Sequence, residues 1–108
     1  MNYKVMVLPE AIDDLKDIFL YVCRHDSLSR ADAILDTLEA KCRLLNENPE
    51  RGHLVAELKR VHVDGFREIH YKPFRIIYQI SDALVYVHAV LDGRRDLQDL
   101  LQERLLRS

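Results

Sequence analysis

The sequence predicts an α+β domain, with a small antiparallel β-sheet packed by an N-terminal α-helical hairpin in the order β-α-α-β-β-β-α. Three observations predict it. Two stretches, Pro9 to Cys23 and Ala31 to Leu45, carry apolar residues at steps of three and four, which is the period of one helical face. Runs rich in branched and aromatic residues then occupy much of Phe66 to Leu91, with short connections between them; such connections favour antiparallel neighbours. A final leucine-rich stretch returns to helical spacing.

Tyr3 to Leu8 reads as a short strand, rich in valine and partly alternating. Pro9 and Glu10 start the first helix, because proline suits the first helical position and an acid complements the dipole there. Ile12, Leu15, Ile18/Phe19 and Val22/Cys23 form its apolar face, which leaves Asp13, Asp14, Lys16 and Asp17 for solvent. The pattern breaks at His25-Asp26-Ser27. Ser29 with Asp32 three residues on resembles a capping box, and the second helix runs to Asn46–Pro49, since the residue before proline avoids helical angles.

Glu57 to Val63 reads as an extended lead-in ending at the Asp64-Gly65 turn signal. Phe66 to Tyr71 is a strand, Lys72-Pro73 interrupts it, and Phe74 to Ile80 is the most β-prone run of the chain. Leu84 to Leu91 follows after a tight connection. Asp92-Gly93 turns the chain, and Leu97, Leu100/Leu101 and Leu105 form a short last helix. In this reading the helices cover one face of the sheet.

With 108 residues the chain suits one domain, residues 1–108. No apolar run approaches the ~20 residues that span a bilayer, and the N-terminus lacks a secretory pattern, so a cytoplasmic protein with no membrane partner is expected. Cys23 and Cys42 fall at apolar helix positions and read as thiols packed in the core rather than as a disulfide.

Charge is uneven. Residues 1–50 hold six Lys/Arg against ten Asp/Glu, whereas residues 51–75 hold six basic against three acidic residues. One face can therefore meet an anionic partner, but the formal net charge of -2 lacks the strong positive field of a nucleic-acid-coating protein. His62, His70 and His88 offer a metal site only if the sheet gathers them. No HxxxH or paired-cysteine spacing accompanies them, so neither metal nor cofactor is expected.

Read in order, Gly52-His53, Glu57-Leu58, Phe66-Arg67-Glu68-Ile69, Lys72-Pro73-Phe74-Arg75-Ile76-Ile77-Tyr78, Val87 and Gly93-Arg94-Arg95-Asp96 resemble the RelE/ParE toxin superfamily over nearly the whole chain. The resemblance implies a growth-inhibiting toxin of a type II toxin–antitoxin system. Its partner would be a cognate antitoxin with a disordered tail that wraps and neutralises it, and operator DNA would be contacted only through that antitoxin. RelE-like members cut messenger RNA in the ribosome, whereas ParE-like members poison DNA gyrase without cutting RNA.

Metal-free RNA cleavage needs a base for the 2′-hydroxyl, cations at the phosphate and an acid for the leaving oxygen. By the resemblance, Arg75 would touch the scissile phosphate, Arg67 would join it if both face one side, and Glu57 would be the base. The terminal His or Tyr of active RNases is missing, because no His or Tyr follows His88. Together with the low charge this favours the gyrase-directed branch, with the ribosome-dependent endoribonuclease as the alternative and an inert antitoxin-binding member as a third. Arg67, Arg75, Arg94 and Arg95 then become structural, antitoxin-binding or target-binding residues. Arg95–Asp99 is an i,i+4 helix pair in this reading, and Arg104 and Arg107 belong to a solvated helix end. If the antitoxin supplies a helix or strand, an apolar groove should lie open beside the sheet or hairpin.

Overall fold

The computed structural model describes residues 2–106. In chain order the elements are β1 (Lys4–Val7), α1 (Pro9–His25), α2 (Leu28–Leu44), a 3-10 turn (Pro49–Arg51), β2 (His53–Leu54), α3 (Ala56–Lys59), β3 (Phe66–Tyr71), β4 (Phe74–Ser81), β5 (Leu84–Asp92) and α4 (Gln98–Leu105). The expected α+β order is present, with β2 and α3 added between the hairpin and β3.

Pro9 opens α1, with Glu10 in its first turn and Arg24 and His25 in its last. The cap of α2 lies two residues earlier than expected. Ser27 is extended and its hydroxyl accepts from the Arg30 N–H at 3.0 Å, so Ser29 is already inside the helix and the Ser29–Asp32 box does not form the cap. The break is so short that only Ser27 keeps the extended backbone a cap needs.

The strands form one five-stranded sheet in the order β1-β5-β4-β3-β2. β2–β3, β3–β4 and β4–β5 are antiparallel, whereas β1 runs parallel to β5, which corrects the expectation of a wholly antiparallel sheet. A tight turn compels its two strands to oppose each other. The chain instead leaves β1 through two long helices, so a parallel partner is open to it.

Both faces of this sheet are covered, which corrects the one-face expectation. Ala11, Leu15, Ile34, Leu38, Cys42 and Leu45 of the hairpin region pack on Phe74, Ile76, Tyr78, Val85, Val87 and Val90. On the opposite face Val55, Leu58, Leu97 and Leu101 pack on Phe66, Ile77, Ala89 and Leu91. The second core explains why residues 56–59 are helical rather than extended: Val55 and Leu58, three apart, both turn toward the sheet and both are buried.

A bulge makes β5 serve the two cores. Tyr78 pairs with Val87 and Ile77 with Ala89, which leaves His88 as the extra residue. Val87 and Val90 consequently share the hairpin face although they are an odd number of residues apart. The interrupted ladder finds side-chain partners. Asp14 accepts from the Val90 N–H at 3.0 Å, and Arg104 donates to the His88 carbonyl at 2.9 Å and to Asp14 at 2.9 Å. Asp14 and Arg104 are therefore a largely buried pair joining α1, β5 and α4, and not the solvated groups their sequence context suggested. Burial raises the Asp14 carboxyl above its ordinary range despite the Val90 N–H and Arg104.

Cys42 is buried, Cys23 is half-buried, and both are free thiols. Burial pushes the Cys42 thiol up to about 11, which makes it a poor nucleophile. No helix among the described residues is long and apolar enough to cross a membrane.

Candidate functional site: an arginine held between two carboxylates

β3 places Glu68 and His70 on one side of the sheet, two residues apart, and the β3–β4 register puts Arg75 opposite His70. This is the side covered by α3 and α4, and α3 brings Glu57 to the same point. Arg75 Nη1 and Nη2 donate to the Glu57 carboxylate at 2.6 and 2.7 Å. Its Nε donates to Glu68 Oε1 at 2.6 Å and its Nη2 to Glu68 Oε2 at 3.0 Å. Two bidentate carboxylates thus share one guanidinium, and the Arg75 and Glu68 side chains are only 14% and 4% exposed.

The electrostatics follow from that geometry. The hydrogen bonds from Arg75 hold the Glu57 carboxyl below its usual range, against a smaller opposing effect of burial. Arg75 is in turn pushed further up, first by Glu57 and with a contribution from Glu68. The guanidinium stays charged but is enclosed by its own acids.

Arg67 does not join this group. It pairs with Tyr78 across β3–β4, so it lies on the hairpin side of the sheet, and its Nη1 donates to the Gly52 carbonyl at 2.8 Å. The condition that Arg67 and Arg75 face the same side is not met. Register sets this: Arg75 lies opposite His70, three positions from Arg67, and odd offsets along a strand change face. Gly52 is fixed from several directions. Its N–H donates to the Tyr78 hydroxyl at 3.1 Å, and that hydroxyl donates to the Pro49 carbonyl. A Cβ on Gly52 would stand 2.6 Å from the Glu68 carbonyl oxygen and closer still to the Tyr78 hydroxyl. This loop glycine is required by close approach, which its sequence context did not reveal.

Arg94 and Arg95 stand apart from the Arg75 group at the end of β5. Arg94 Nη2 bonds Asp92 at 2.6 Å with its side chain 72% exposed, and those hydrogen bonds lower the Asp92 carboxyl. Both arginines line an open cleft of about 780 Å³ with Asp14, Asp17, Tyr21 and Arg30. α4 begins only at Gln98, so Arg95–Asp99 is not a pair within a helix. Arg107 lies outside the described residues.

The histidine that meets His70 is His53 of β2, not His62. The two rings make an edge contact at 5.0 Å between centroids, and both turn toward Glu68. His62 adopts a left-handed backbone (φ 63°) after α3, and His88 bonds Gln79 at 3.2 Å at the bulge. The sequence carried a weak signal for this group, since Glu68 and His70 occupy one face of a strand, but the pairing of β2 with β3 could not be read from two residues.

A second feature lies on the opposite face. Val5 and Val7 of β1, Ile12, Leu15, Phe19 and Leu20 of α1, and Leu35 of α2 line an apolar groove of about 730 Å³. Ile12 and Leu20 are 41% and 48% exposed, and β1 beside them is an edge strand. The expected open groove is present.

Residues 5–97 match the family described as the ParE toxin of the type II toxin–antitoxin system parDE. Toxin ParE3 of Caulobacter vibrioides is 29% identical over 84 residues, which cover 78% of this chain and 80% of that protein. The fold is similar to that of the chromosomal ParDE toxin–antitoxin system from P. aeruginosa, with a TM-score of 0.70 at 13% identity over 83% of this chain and 95% of the other. It is also similar to a mutant of E. coli toxin RelE in the free state, with a TM-score of 0.65 at 17% identity over 99% and 98% of the two chains. The chain therefore belongs to the ParE toxin family: it is the toxin component of a type II toxin–antitoxin system, with a cognate antitoxin as its partner.

Proposed function

We propose that this toxin arrests growth by binding DNA gyrase and not by cutting RNA. The observation that carries the reading is the enclosure of Arg75. A nuclease of this fold needs a strand cation open to the phosphate, whereas Arg75 is bonded at 2.6–3.0 Å by Glu57 and Glu68. Two carboxylates against one guanidinium leave the spot with a net negative charge, which repels a phosphodiester. Glu57 is engaged as an ion-pair partner, with its carboxyl lowered by Arg75, and a lowered carboxylate is a weaker general base. Arg67 lies on the other face, and residues 89–108 contain no His or Tyr to act as the acid.

Of Arg67, Arg75, Arg94 and Arg95, the last two are the exposed ones, and they contact the target. In the apolar groove the antitoxin's helix or strand covers Ile12, Leu20 and the β1 edge, because burying the exposed half of such aliphatic side chains contributes about 1 kcal/mol each and an edge strand accepts another by backbone pairing.

The experiment is induced expression of the chain in a sensitive bacterium, with primer extension on messenger RNA and plasmid topology read from the same culture. Growth arrest with intact transcripts and gyrase-linked DNA breaks is expected, and Glu57→Gln should remain toxic. New transcript ends that disappear in Glu57→Gln would replace this reading with the ribosome-dependent endoribonuclease.

A further inference from the structure

We propose that His53, Glu68 and His70 form a binding site for a divalent transition-metal ion of the zinc class. The three side chains are brought together by sheet register. His53 is the cross-strand partner of Glu68 in β2–β3, and His70 follows Glu68 by two residues on the same face of β3. One ligand atom from each lies within 4.8 Å of the other two. His70 Nε2 is 2.8 Å from Glu68 Oε1, and His53 Nε2 is 3.7 Å from Glu68 Oε2. Ligand atoms on a tetrahedral ion at about 2.0–2.1 Å stand about 3.3 Å apart. The His70 spacing is shorter than that and the His53 spacing, to the other carboxylate oxygen, is longer, so small rotations of the two exposed rings bring all three onto one ion.

The chemistry of the donors favours such an ion. Two imidazoles and one carboxylate are the ligand set of open zinc sites, in which water or another ligand completes the coordination. Imidazole nitrogens select against magnesium and calcium, which take oxygen. Glu68 is oriented by Arg75 through Nε and Nη2, the kind of supporting contact that holds a ligand carboxylate in place. Arg75 already answers to Glu57 as well, so the cluster retains one negative charge beside the two rings. The carboxylate is anchored at 4% exposure, while the His53 and His70 side chains are 64% and 40% exposed and have room to close on an ion. A cleft of about 250 Å³ opens onto the site, with Lys41 and Arg51 on its wall, where an anion completing the coordination would be met by positive charge. Occupancy would clasp the two-residue strand β2 to β3, and with it the loop that holds Gly52.

The test uses the full chain, titrated with zinc chloride by calorimetry and with cobalt(II) by visible absorption, beside His53→Ala and His70→Ala. Both substitutions are at exposed side chains, and circular dichroism checks that each variant is folded. One equivalent of zinc with a Kd of about 10 µM or tighter, an intense tetrahedral cobalt band, and a loss of at least about tenfold in each variant are expected. Magnesium should give no heat. Zinc binding that is unchanged in both folded variants, or absent from the wild-type chain, would overturn the proposal.

Discussion

Gly93 is the floor on which Arg75 lies: a Cβ at residue 93 would stand 2.8 Å from Arg75 Cδ, 3.0 Å from its Cγ and 3.0 Å from the Pro73 carbonyl oxygen. Gly93 also donates its N–H to that carbonyl at 2.8 Å. Arg75 cannot move aside easily, because Glu57 and Glu68 hold its far end. Gly93→Ala should therefore destabilise the fold by about 1–3 kcal/mol, as overpacking does. Chemical denaturation would check this, and a wild-type midpoint would show that the turn relaxes freely.

Arg75→Ala should cost more, about 3–5 kcal/mol, since it leaves the buried Glu68 carboxylate without its main partner. Arg94→Ala removes only an exposed ion pair, and its melting curve should overlay the wild type. Loss of toxicity in Arg75→Ala is thus informative only beside its unfolding curve. Equal stability of the two variants would contradict a structural role for Arg75.

The buried Tyr78 hydroxyl ties the Pro49–Gly52 loop to β4 by accepting from Gly52 and donating to Pro49. Tyr78→Phe keeps the ring and leaves those two backbone groups unmet, at a cost of about 1–3 kcal/mol. Hydrogen exchange should quicken first at Gly52, the amide that loses its acceptor.

Acid should weaken the fold in two stages. Burial lowers His88 from its ordinary 6.5, so the fold favours the neutral ring; that contribution is complete above 6.5 and is lost as pH falls through the lowered value. Arg75 lowers Glu57 from 4.5, which places a second loss of the same sign below that pH. Asp14, raised by burial, opposes the second stage. Denaturation midpoints measured from pH 8 to pH 3 should show both stages, with His88→Gln removing the first and Glu57→Gln shrinking the second, to which the lowered Asp92 carboxyl also contributes.

Leu20→Lys and Ile12→Lys place a charge in the apolar groove at side chains that the folded chain leaves 48% and 41% exposed. Antitoxin affinity should fall by about tenfold or more, from the lost aliphatic burial together with the cost of placing a charge in an apolar contact, with the isolated toxin as stable as the wild type. Titration calorimetry of the pair measures it, and unchanged affinity would move the antitoxin to another surface.

Local order was legible in the sequence because covalent geometry sets it. Steps of three and four disclosed α1 and α2, and branched and aromatic runs disclosed β3, β4 and β5 within a residue or two. The ordered fragments from Gly52 to Asp96 disclosed the superfamily and contain Arg75 and Glu57, which the fold pairs with each other. Long-range register is set by packing between segments far apart in the chain, and no local period encodes it. Packing decided that β1 lies parallel to β5, that Val55 and Leu58 turn with α4 onto a second face, and that Asp14 and Arg104 meet at the His88 bulge. It also decided the chemistry. An odd offset across β3–β4 sends Arg67 and Arg75 to opposite faces, and the two-residue pairing of β2 with β3 sets His53 beside Glu68.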